Sequence, residues 1–113
     1  MRREPDRLRI ETELSYARAA RENGKEGRAR VSARRAAGWA VAAFLTRQDD
    51  PPYRSAYDLL GWLEQDGPAE LRQPAARLRQ QVTMDHRLPH EEDPLEDAEL
   101  IVRTLLEPIN STQ

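Results

Sequence analysis

The chain has no cysteine, which excludes disulfides and thiolate metal sites. No apolar run reaches 18 residues, so no transmembrane helix is expected. The first residues, MRREPDRLRIETE, lack the apolar segment of a signal peptide. A cytoplasmic protein without membrane association is the expectation. Aromatic residues make up only 5%, and a β-sandwich would need more of them, with more Val, Ile and Thr. Phosphate-loop chemistry is missing too: GKEG at 24–27 has neither the spacing nor a preceding strand. Ser15, Ser32, Ser55 and Ser111 sit in no nucleophile-elbow context.

What is present suits helices. Charged residues are 34% of the 113, a length expected to form a single domain over 1–113, with 107–113 as a frayed tail. Residues 1–48 carry 12 basic and 6 acidic side chains, a net of +6, and residues 49–113 carry 6 and 14, a net of −8. Either the two halves pack with complementary charges, or the first presents a basic surface to an anionic partner such as RNA.

The stretch Glu26 to Arg47, EGRARVSARRAAGWAVAAFLTR, organises the rest. Ala29, Ala33, Ala36, Ala40 and Ala43 step by 4, 3, 4 and 3 residues, one stripe of a helix. Ala37, Val41 and Phe44 widen it, and Gly38 invites close approach of a partner helix despite its poor propensity. An Ala-rich stripe of this size exceeds what short helices would cover, which predicts a homodimer. Arg28, Arg30, Arg34 and Arg35 form the polar face and are the candidate nucleic-acid-binding residues.

Pro5 and Asp6 suit the first turn of a preceding helix, with Leu8, Ile10, Leu14, Ala17 and Ala20 as its apolar face and Asn23-Gly24 as its stop. The short loop predicts an antiparallel hairpin of helices 1 and 2. Pro51-Pro52 is a turn. Ser55 caps a third helix over 55–65 with Asp58 three residues on. The fourth is predicted over about 73–84, with Pro74 in its first turn. Asp93-Pro94-Leu95-Glu96 starts a fifth that runs to about Glu107. The expected fold is all-α, a five-helix bundle.

That layout resembles the HEPN domain. The likeness is carried by ARAARENGKEGRARVSARRAAGWAVAAFL (17–45) and more weakly by DPLEDAELIVRTLL (93–106). It implies a helical bundle that dimerises. In many members it also implies metal-independent ribonuclease activity from an Arg, four to six residues and a His; in others, a binding or toxin–antitoxin role, or partnership with a nucleotidyltransferase.

Arg79 and His86, with six residues between them, match the ribonuclease pattern. By that resemblance His86 would move the proton and Arg79 would steady the phosphate. Gln80 follows Arg79 where the family has Asn, Asp or His. The plainer alternative makes Arg79 a solvated helix residue and His86 a side chain favoured by the helix C-terminus. His86 and His90 stand four apart, but Pro89 interrupts the helical spacing that zinc ligation would need. Trp39 and Trp62 are expected in the core or at a dimer contact rather than as base-stacking platforms. The chain therefore reads as a non-enzymatic interaction or regulatory module of HEPN-like type. The ribonuclease is the alternative, and no metal or cofactor is implied.

Overall fold

The computed structural model describes residues 3–47, 55–80 and 92–106. Their regular elements are α1 (Arg3–Glu22), α2 (Glu26–Arg47), α3 (Ala56–Asp66), α4 (Ala69–Arg79) and α5 (Pro94–Leu106). No strand occurs among the described residues, so the fold is an all-α five-helix bundle. The first corner is set by Gly24, whose φ of 76° is the left-handed conformation that ends helices. Lys25 N–H donates to the Ala20 carbonyl at 2.8 Å and Gly24 N–H to the Arg21 carbonyl at 3.0 Å, the two bonds of a Schellman motif. The chain reverses there, and α1 packs along α2 as the expected hairpin.

Helix α2 is central: α1, α3 and α5 all pack on it, while α4 joins α3 to α5 and α1 also touches α5. The alanine stripe explains why. Ala29, Ala33, Ala36, Ala37 and Ala40 are at most 1% exposed, so three neighbours reach the helix backbone closely. The bulk comes from the four surrounding helices, chiefly Ile10, Leu60, Leu63, Leu71, Ile101 and Leu105. Each such side chain contributes about 1.5–3 kcal/mol on burial. Helix α3 comes close at Gly38, where an added Cβ would lie 2.7 Å from the Ala56 Cβ and 2.9 Å from its Cα. From Ala29 to Ala40 the stripe is covered within the chain. Its far end behaves differently: Ala43 and Phe44 are only half-buried, and Phe44 packs beside Trp62 with ring centres 6.2 Å apart.

Two starts form as expected. Ser55 Oγ accepts from Asp58 N–H at 3.2 Å, and Asp93 Oδ1 accepts from Leu95 N–H at 3.2 Å, each satisfying a first-turn donor. Helix 4 differs from the expectation of about 73–84. It begins at Ala69, because Leu71 is fully buried and draws the first turn into the core. Pro74 therefore sits inside the helix and is itself buried. The helix stops at Arg79, since Gln80 is extended (φ −76°, ψ 145°). Leu8 also departs from its predicted place on the apolar face: it is 71% exposed, two residues before Ile10 and so off the buried side of α1.

Candidate functional site

Arg79 lies flat along α3. Its Nη1 donates to Glu64 Oε1 at 2.7 Å. Its guanidinium carbon stands 4.1 Å from the centre of the Tyr57 ring. A Cβ on Gly61 would come within 3.1 Å of that same carbon. Tyr57, Gly61 and Glu64 are spaced by 4 and 3 residues, one stripe of α3, and the guanidinium covers it. Arg79 is thus neither solvated nor free. Its Nε is buried without a hydrogen-bond partner, while the Glu64 carboxylate occupies the side on which a phosphate would have to compete. His86 and His90 fall outside the described residues. Among the described residues no group of three Asp, Glu or His side chains could hold a metal ion.

The four arginines of α2 do not form one surface. Arg34 Nε donates to the Leu78 carbonyl at 2.8 Å and its Nη2 to that of Gln80 at 3.4 Å, so it caps the C-terminus of α4. Arg35 Nη1 donates to Glu13 Oε2 at 3.2 Å. Arg28 is exposed and Arg30 half-exposed. Among the described residues neither forms an ion pair, so Arg28 is the exposed one of the four without a carboxylate partner there.

What the sequence reading missed is the outer face of α2. Between α1 and α2 an open groove of about 520 Å³ is bounded by Tyr16, Arg28, Val31 and Arg35, with Glu13 in its floor. Past Val31 and Arg35 it continues between α2 and α3 as a second hollow of about 430 Å³, with Trp39, Ala56 and Leu59 in its walls. Tyr16 is 63% and Val31 48% exposed. Trp39 packs partly on the core, and Arg9 stands 3.9 Å over its ring. The signal for Glu13 was available: it lies three residues after Ile10 and four before Ala17, on the buried face of α1. A carboxylate there needs a partner, which Arg35 supplies.

Arginine–carboxylate pairs tie the helices together. Arg18 to Glu99 (2.7 Å) and Arg21 to Asp93 (2.6 Å) join the basic first half to the acidic second half. Two hydrogen bonds from Arg21 hold the Asp93 carboxyl below the usual carboxylate range, with the Leu95 and Glu96 N–H groups adding to the effect. Arg77 is raised above its ordinary value, chiefly by its hydrogen bonds to Asp97.

Comparison with protein-family models, curated proteins and solved structures finds no match for the chain. No helix among the described residues is long and apolar enough to cross a membrane.

Proposed function

We propose that the chain is a non-enzymatic helical interaction module of HEPN-like architecture, working in the cytoplasm through the outer face of α2. The observation that carries this reading is that face itself. Exposed apolar side chains, Tyr16 and Val31, are set together among arginines, whereas the other exposed large apolar residues among the described ones, Leu8 and Tyr57, line neither hollow of that groove. An exposed apolar patch with a polar rim is the usual mark of an interaction site. The engagement of Arg79 by Glu64 and Tyr57 points the same way, because a catalytic arginine has to be available to a phosphate.

The alternative is a metal-independent endoribonuclease using Arg79 and His86. It draws on the Nε of Arg79, a buried donor without a hydrogen-bond partner. A role beside a nucleotidyltransferase or in a toxin–antitoxin pair rests on the family resemblance alone. Incubating purified protein with a mixed-sequence labelled RNA in EDTA separates the two leading readings. The module reading expects no cleavage, or cleavage that survives unchanged in His86→Ala and Arg79→Lys, as a contaminant's would. Cleavage lost in both, with helicity and melting temperature intact, would establish the ribonuclease and overturn the module.

A further inference from the structure

We propose that the groove on the outer face of α2 receives an amphipathic helix from a partner protein, about three turns long and acidic along its polar edges. This inference rests on the interaction-module reading and names its partner. From Arg28 to Trp39 the face spans about 16 Å of helix axis, which suits three turns of a docked helix. Its exposed apolar points are Tyr16 and Val31, and Ala56 and Leu59 form the wall beyond. The groove runs between near-neighbour helices, the setting in which an amphipathic helix anchors through residues at i, i+3 or i+4, and i+7.

Charge chooses the occupant. Arg28 and Arg35 rim the groove, and the carboxylate in its floor, Glu13, already faces Arg35 at 3.2 Å. The rim is left positive, so acidic side chains on the partner complete it. A second copy would place this basic face against itself about a two-fold axis, setting like charges opposite one another. Nucleic acid is disfavoured by the lack of open aromatic faces along it. A single-strand binder needs open aromatic faces along a basic track, yet here Arg9 covers the Trp39 ring.

The test uses the full chain, isotope-labelled for NMR titration. The probe is a capped synthetic helix of about 14 residues with leucines at i, i+3, i+7 and i+10 and glutamates on both flanks. Controls are its lysine-flanked counterpart and a mixed-sequence single-stranded RNA. The expected result is saturable binding with shifts centred on Tyr16, Arg28, Val31 and Trp39. Binding should weaken about tenfold or more for the lysine peptide, and likewise in Arg28→Glu/Val31→Asp. Both positions are exposed, so that variant should keep the wild-type fold by circular dichroism. Absence of saturable binding, shifts elsewhere, equal binding of both peptides, or preference for RNA would overturn the proposal. So would concentration-dependent shifts of the protein alone at these same residues, which would mark a second copy. RNA cleavage in the control arm would strike the module reading itself. Peptide failure without cleavage strikes only the partner assigned here.

Discussion

The Arg77 guanidinium and the Asp97 carboxylate meet in two hydrogen bonds of 2.9 Å each, joining α4 to α5 where the Asp97 side chain is only 8% exposed. A carboxylate this buried depends on its partner. Arg77→Met is expected to lower unfolding stability by about 3 kcal/mol, because it strands a desolvated charge. Arg77→Met/Asp97→Leu should recover most of that loss, since well-packed apolar residues replace buried ion pairs at little cost. Urea unfolding of wild type and the two variants checks it. A double variant as unstable as Arg77→Met would show that the pair contributes more than mutual neutralisation.

Gly38→Ala tests the approach of α3 to α2. Helix propensity alone favours the alanine by about 1 kcal/mol. Against that, the new methyl would fall 2.9 Å from the Ala56 backbone, which cannot swing aside as a flexible side chain does. Overpacking of this kind costs about 1–3 kcal/mol, so net destabilisation is expected in thermal melts. A stabilised variant would mean that α3 can shift outward freely.

Asp93 gives a pH signature. Its folded carboxyl is depressed by Arg21, so its contribution is fully present above the unfolded value of about 3.9 and fades as pH falls through the folded one. Asp93→Asn keeps an N-cap and removes the charge. Wild type should exceed it by about 1 kcal/mol at neutral pH, with the gap closing below about pH 4. A gap independent of pH would assign the effect to the cap rather than the charge.

Glu64 and Arg79 should be coupled. Removing Glu64 leaves the guanidinium with Tyr57 and an unpaired Nε. Glu64→Ala and Arg79→Ala are each expected to cost about 1 kcal/mol, and the pair together less than the sum. Strict additivity would show that the observed contact contributes little to stability.

Much of this architecture was legible in the sequence. The alternation of 3 and 4 between alanines located α2 and its buried side, and Gly24, Ser55 and Asp93 marked helix ends through local chemistry that needs no tertiary context. Helix 4 was harder. Pro74 suggested a late start, but the burial of Leu71 outweighs the one hydrogen bond a proline forfeits. The candidate site was legible only as residue types. Arg34 and Arg35 share a polar face with Arg28 in the sequence, yet their partners, the Leu78 carbonyl and Glu13, lie 44 and 22 residues away.

The sequence by itself determined the helices, their order and the central place of α2, because periodicity, caps and side-chain size act over a few residues. Which arginines are spent inside the molecule and which face outward was decided by tertiary structure alone. So was the opening of a basic, partly apolar groove along α2. Those outcomes depend on which helices come to lie beside one another, and on the cost of leaving any buried charge without its partner.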